Sequence, residues 1–145
     1  MLKMKNITKL FLYLNLCLTL LACSKISPKG EIEVKDVTVE NFTKLNLKGD
    51  FKVFFAKGNQ NLVSVETYPN VYKNLDIAVE NGILTIEENR KTNQVDFYNI
   101  TIFGKNDLNE VLLSDKVEMN VSGQVKTPEF SLHLKGNSKF IGAII

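Results

Sequence analysis

From about residue 31 onward, apolar and polar residues alternate with the period of two that marks half-buried β-strands. Leu45 and Leu47, then Phe51, Val53 and Phe55, then Val63 and Val65 all fall on one parity. Further strands are expected at about Val95–Phe103, Glu110–Leu113, Val117–Val121, Phe130–Leu134 and Lys139–Ile144. Turn chemistry interrupts the pattern. Gly58-Asn59 separates FKVFF from NLVSVETY, and Asn81-Gly82 separates LDIAVE from ILTIEE. An Asn-Gly pair accommodates the positive φ angles of a tight hairpin. No segment carries a helical stripe, so the pattern predicts an all-β fold with antiparallel hairpin elements in its N-terminal half.

A repeat underlies the alternation. LNLKGDFKVFF (Leu45–Phe55), VLLSDKVEMNV (Val111–Val121) and LHLKGNSKFIG (Leu132–Gly142) each give two apolar residues, a small or turn residue, then apolar residues again. The last two copies start 21 residues apart, the difference between positions 132 and 111. A period near 20 favours a β-solenoid, in which each coil buries its apolar face against the next. Alternation in an ordinary β-protein is the other reading of these three matches.

The first 30 residues are of a different kind. A basic start, MLKMKNITK, precedes an apolar run from Leu10 to Ala22. That run is shorter than the roughly 20 residues a membrane span needs, and it fits the core of an export signal. It ends in Leu20-Leu21-Ala22-Cys23, which resembles the lipobox read by the lipoprotein signal peptidase. That resemblance implies a signal peptide over 1–22 and a Cys23 that becomes the lipid-carrying first residue, acylated and anchored in a membrane. Of the two cysteines, Cys17 leaves with the leader, so no disulfide framework forms within one mature chain. One acyl chain binds a membrane only marginally, whereas several hold firmly. Residues 23–30, with Pro28 and Gly30, read as a tether that lets a domain at 31–145 stand off the membrane. Ser24-Lys25 carries neither the Asp of inner-membrane retention nor an acidic export run. An outer-membrane lipoprotein on the periplasmic face of the cell envelope is expected, with surface exposure as the alternative.

Charge narrows the partners. The chain has 18 basic and 16 acidic residues; subtracting Lys3, Lys5 and Lys9 of the leader leaves 15 basic residues, a net charge of −1. Without a clustered basic face there is no electrostatic footprint for nucleic acid. His133 is the single histidine, in the alternating strand SLHLK where its parity with Ser131 and Lys135 turns it outward. A zinc site or a Ser-His-Asp constellation has almost nothing to build from, so no catalytic residue, metal or cofactor is expected. The acidic residues, among them Asp50, Glu88 and Asp115, read as scattered over a solvated face. Tyr68, Tyr72 and Tyr98 are the candidate binding residues, as rings on which sugars stack, with turn residues Asn59, Asn61, Asn70 and Asn74 to bond hydroxyls. Phe51, Phe55, Phe97 and Phe140 are assigned to the interior.

The run Phe42–Val53 (FTKLNLKGDFKV), the Glu80–Ile86 hairpin (ENGILTI), Ile100-Thr101-Ile102 and Leu108-Asn109-Glu110-Val111 together resemble the GIN-domain family, described as putative auto-transporter adhesin, head GIN domain. The family is common among lipoproteins of Gram-negative bacteria. The resemblance implies a right-handed single-stranded β-helix and a binding or adhesion role without enzymatic activity, the partner being a glycan or an envelope protein. Where the family has a Ser-Gly-Ser-like turn, this chain has Ser114-Asp115, and Asp115 takes a left-handed backbone less easily than glycine. Family members run on through further coils. This chain therefore reads either as a short or truncated member or as one whose apolar C-terminal edge pairs with a second copy in a homodimer. An architectural module of the envelope is the alternative function, and a polysaccharide-active enzyme the less favoured one.

Overall fold

A computed structural model describes residues 24–145 together with Asn6, Ile7 and Lys9; Cys23 and the rest of the expected leader lie outside the described residues. Eleven strands and one short helix follow in order: β1 (Glu33–Thr38), β2 (Lys44–Gly49), β3 (Lys52–Lys57), β4 (Leu62–Thr67), α1 (Pro69–Tyr72), β5 (Leu75–Glu80), β6 (Ile83–Glu88), β7 (Asn99–Gly104), β8 (Glu110–Asp115), β9 (Glu118–Val125), β10 (Ser131–Leu134) and β11 (Lys139–Ile144). They form two sheets, one in the order β1-β4-β7-β3-β9-β11 and the other β10-β8-β2-β6-β5. The expected all-β class is what the chain adopts.

Alternation decides which side chains lie between the sheets. Leu45 and Leu47 of β2, Leu84 and Ile86 of β6, and Val111 and Leu113 of β8 face Val53 and Phe55 of β3, Val63 and Val65 of β4, and Ile100 and Ile102 of β7 in one buried cluster. The intervening positions on the outer faces carry cross-strand ion pairs, such as Lys44 with Glu110 at 3.2 Å and Lys48 with Glu87 at 3.1 Å. At such exposed positions each contributes under about 1 kcal/mol. Apolar burial between the sheets is the main source of stability.

The three repeat segments lie in register. Leu45 sits beside Val111, and Val111 beside Leu132; Val53 sits beside Met119, and Met119 beside Phe140. Each segment supplies one strand to each sheet and so makes one rung. The rungs do not, however, stack in chain order. β2–β3 lies in the middle, with β8–β9 and then β10–β11 on one side and β6–β7 on the other. Two mixed sheets therefore replace the expected helix wound coil by coil. The physical reason is a pair of reversals: β4 and β5 run antiparallel to β7 and β6, so the chain regains the common direction only at β6. β8–β9 and β10–β11 are the part that follows rung on rung at the 21-residue spacing.

The Asn81-Gly82 hairpin forms as expected, β5 pairing with β6 across residues with φ of 52° and 75°. Two consecutive positive φ angles define the turn whose twist matches the flanking strands. Gly58-Asn59 also breaks the chain, but β3 and β4 are not neighbours, because β7 lies between them. The strand expected from Val95 begins only at Asn99. Ahead of it, the carbonyl of Phe97 accepts a bond from the Thr67 hydroxyl at 2.7 Å, and the Phe97 ring, assigned to the interior, is 45% exposed. Helix α1 is too short to leave a periodic signal; Pro69 fixes its first turn and Val71 enters the core.

Residues 24–30, expected as a free tether, are bonded along the domain. The amide of Ile26 donates to the carbonyl of Lys91 at 2.9 Å, and that of Asn93 to the carbonyl of Ile26 at 2.8 Å. Asn70 receives the amide of Lys29 and donates to the carbonyl of Ser27, at 2.9 and 2.8 Å. Arg90 donates to the carbonyl of Ser24 at 2.6 Å and also to its hydroxyl. Pro28 and Gly30 signal irregular backbone, which here lies against the surface and not away from it.

Candidate functional site

Every repeat rung passes from one sheet to the other at the same place, and the turns stack. The amide of Lys116 donates to the carbonyl of Gly49 at 2.9 Å, and that of Asn137 to the carbonyl of Asp115 at 2.7 Å. Asp115 adopts φ 63°, the left-handed conformation anticipated for the turn, and Gly136 beside it has φ 67°. A side chain at 136 would put its Cβ 2.9 Å from the Asp115 carbonyl oxygen, so glycine is required there on two counts.

This column of turns forms one wall of a cleft of about 310 Å³. Asp50, Asp115, Lys116 and Asn137 come from the turns, Glu88 from the end of β6, Lys91 and Thr92 from the connection after it, and Lys25 from the N-terminal segment. Three carboxylates and three ammonium groups thus share one site. In sequence the acidic residues read as scattered; the parallel stacking of β2, β6 and β8 is what gathers Asp50, Glu88 and Asp115. Among the described residues no group of three or more His, Cys, Asp or Glu is arranged to hold a metal ion.

Glu88 is a half-buried carboxylate of the cleft. Burial pushes its carboxyl above the usual range, while the Thr92 hydroxyl, donating at 2.9 Å, the nearby Tyr98 hydroxyl and the backbone of Asp50 partly offset this. The Tyr98 hydroxyl is buried beside the Glu88 carboxylate. Burial, with the negative charge of Glu88, pushes the Tyr98 phenol far upward. Lys116 reaches Asp50 at 3.6 Å, a long and exposed pair that remains available to other partners.

The three candidate tyrosines are not brought together. Tyr98 is 4% exposed and packs against Phe51 with ring centroids 5.4 Å apart, which leaves no free face for a sugar. Tyr68 is half-buried and donates its hydroxyl to Asp96 at 2.8 Å, a bond that raises its pKa. Tyr72 is half-buried at the end of α1. Of the turn asparagines, Asn61 bonds Asn41 and the amide of Lys105, and Asn74 bonds both backbone groups of Arg90. Asn70 holds the N-terminal segment, so three of the four serve the fold itself. His133 lies exposed on β10.

Two mixed sheets stacked rung on rung, with ionisable groups collected along one line of turns, define the class as an all-β domain whose polar chemistry lies at its corners. Within that class the chain belongs to the family described as putative auto-transporter adhesin, head GIN domain, which matches residues 41–145. No curated protein matches the chain. Among solved structures, a putative adhesin from Bacteroides fragilis superposes with a TM-score of 0.73 at 16% identity, covering 79% of this chain and 54% of its own. A putative lipid binding protein from Parabacteroides distasonis gives 0.72 at 18% identity, covering 83% and 54%. A putative adhesin from Parabacteroides merdae gives 0.67 at 15%, covering 77% and 47%. At these identities the likeness is one of fold, and the chain spans about half the length of the structures it matches.

Proposed function

We propose that this chain is a lipid-anchored protein of the cell envelope whose all-β domain is a non-enzymatic binding module of the adhesin type. The observation that carries the reading is membership of the GIN-domain family over residues 41–145, joined to a leader that ends in Leu20-Leu21-Ala22-Cys23. Cys23 is its acylated residue, the leader over 1–22 is removed, and the outer membrane is its location, on the periplasmic side. The rungs β2–β3, β8–β9 and β10–β11 are coils of a β-helix-like stack on this reading. A glycan or an envelope protein is the partner, with Tyr68 and Tyr72 as the accessible members of the tyrosine set.

Incorporation of labelled palmitate into the full chain, lost in Cys23→Ser, is the expected result; equal labelling of both proteins sinks the anchor. A glycan array probed with the purified full chain in detergent tests the binding role. Release of product from acidic polysaccharide in the presence of calcium would instead favour the enzymatic alternative.

A second reading, self-association, rests on one specific feature. The outer edges of β10 and β11 carry no strand among the described residues, and Leu132, Leu134 and Ile141 are 38%, 49% and 58% exposed there. A two-fold axis normal to both sheets would join β10 to β10 and β11 to β11 of a second copy, an isologous contact. A strictly monomeric mass for the Cys23→Ser chain by light scattering rejects it.

A further inference from the structure

The corner cleft and the docked N-terminal segment meet at Lys25, and this juxtaposition carries a second conclusion. We propose that the cleft faces the lipid layer in which Cys23 is anchored and takes the phosphoethanolamine head group of a phospholipid there. The proposal rests on the acylation of Cys23 read above.

Position comes first. Ser24, whose carbonyl accepts from Arg90 at 2.6 Å, directly follows Cys23 in the sequence, and one residue of chain reaches only about 3.8 Å. Lys25, the next residue, is already part of the cleft wall. The bonds of Ile26 to Lys91 and Asn93, and of Asn70 to Ser27 and Lys29, remove the slack that would let the domain swing away. A lipid on Cys23 therefore enters the membrane beside this corner and not at the end of a flexible arm.

Chemistry comes second. A phosphodiester with a primary ammonium two carbons away is a zwitterion, and the cleft is one too. Lys25, Lys91 and Lys116 supply donors for the phosphate, and Asp50, Glu88 and Asp115 accept from the ammonium. A primary ammonium offers three N–H donors, whereas a quaternary one offers none, so carboxylates that need a partner discriminate between the two. The Glu88 carboxylate accepts from the Thr92 hydroxyl at 2.9 Å and keeps acceptor capacity for such a donor. It is half-buried, so an ammonium at the mouth of the cleft favours its charged form. The balance of three against three supplies no net attraction to anionic lipid, which separates this reading from a polybasic patch. A volume near 310 Å³ lies at the lower end of the range for small-molecule sites.

The test uses the acylated full chain in vesicles, with Cys17 leaving in the leader and a fluorophore placed at Asn137→Cys in the cleft or at Asn59→Cys on the exposed Gly58-Asn59 turn. A quencher is carried on the lipid head group. Quenching at position 137 is expected to exceed that at 59 severalfold in phosphatidylethanolamine vesicles and to fall when phosphatidylcholine replaces that lipid. Lys91→Glu should produce the same fall, and Lys91→Arg should restore the signal. Equal quenching at both positions, or indifference to the head group, overturns the proposal. Soluble phosphoethanolamine separates the two sources of the chemistry: a response at 137 to the free compound but not to vesicles also overturns it. Palmitate labelling of the same samples keeps the premise distinct, because an unlabelled Cys23 refutes the anchor, whereas a labelled one with equal quenching refutes only the cleft.

Discussion

The two ends of the double stack are built from the same kind of strand and finished in opposite ways. At one end β1 and β5 are the outermost strands, and Glu33, Lys35 and Asp36 of β1 and Asp76 and Glu80 of β5 put charge along the edges. Helix α1 crosses between the sheets there and drives Val71 into the core, and Ile26 of the N-terminal segment packs against it. Such edges resist the addition of a further strand. At the other end β10 and β11 present Leu132, Leu134 and Ile141 to water. The register makes the contrast sharp. Leu47, Leu113 and Leu134 occupy one column, yet the first two are fully buried and the third is 49% exposed. Parity is a property of the segment, whereas burial is a property of its neighbours.

The largest test of that contrast is truncation in the column interior. Phe55→Ala in the central rung, where Phe55 is 2% exposed, should cost about 3–5 kcal/mol through lost transfer energy and the cavity left behind. Leu134→Ala should cost less than about 1 kcal/mol, as for surface positions. Denaturant midpoints at constant m-value measure both. A cost at Leu134 equal to that of a core leucine would mean that the terminal rung is covered in solution.

The corner turns give a smaller effect of mixed sign. Gly136→Ala combines φ 67° with a Cβ contact of 2.9 Å to the Asp115 carbonyl, and should lose about 1–3 kcal/mol. Asp115→Gly, one rung inward at φ 63°, relieves the left-handed strain of a residue with a Cβ and should gain up to about 1 kcal/mol. Thermal unfolding of the two variants ranks them, and a stabilising Gly136→Ala would refute the assigned geometry.

Protonation distinguishes the cleft from the ion pairs on the outer faces. Burial raises the folded-state pKa of Glu88 above its ordinary value of 4.5, so the folded protein holds this proton more tightly than the unfolded chain does. The resulting stability is fully present below pH 4.5 and is lost as pH rises through the folded value. Glu88→Gln should remove that decline, leaving a flatter profile of Tm against pH across the window. Parallel profiles for the two proteins would show that Glu88 is as well solvated as a surface carboxylate.

Much of this architecture was legible because strand parity and tight turns are local. Leu45, Leu47, Phe51, Val53, Phe55, Val63 and Val65 share one parity in the sequence and are all buried, and aligning the three repeats reproduces the register Leu45, Val111, Leu132. The order of the rungs was not legible. Nothing in the spacing of β8–β9 distinguishes stacking on β2–β3 from stacking on the nearer β6–β7. The cleft was hidden for the same reason, since Asp50, Glu88 and Asp115 meet only through that non-sequential order. Tyr98, a candidate sugar platform in the sequence, is buried, and its parity with Ile100 and Ile102, both buried, is the signal that marks its inward face.

The smallest expected change in stability falls at the open end and sharpens the comparison most directly. Leu132 and Leu134 are 38% and 49% exposed, so replacing both with glutamate removes little buried area and should alter folding stability by only about 0.5 kcal/mol. The same pair would place like charges directly opposite one another wherever β10 meets β10 of a second copy, and like charges across a strand pair are destabilising. Folding and association thus separate: light scattering of the double variant should give a monomer whatever the parent gives, at an unchanged denaturant midpoint. If the unfolding free energy drops by several kcal/mol instead, the leucines are buried in solution, and the asymmetry between the two ends belongs to the isolated chain alone.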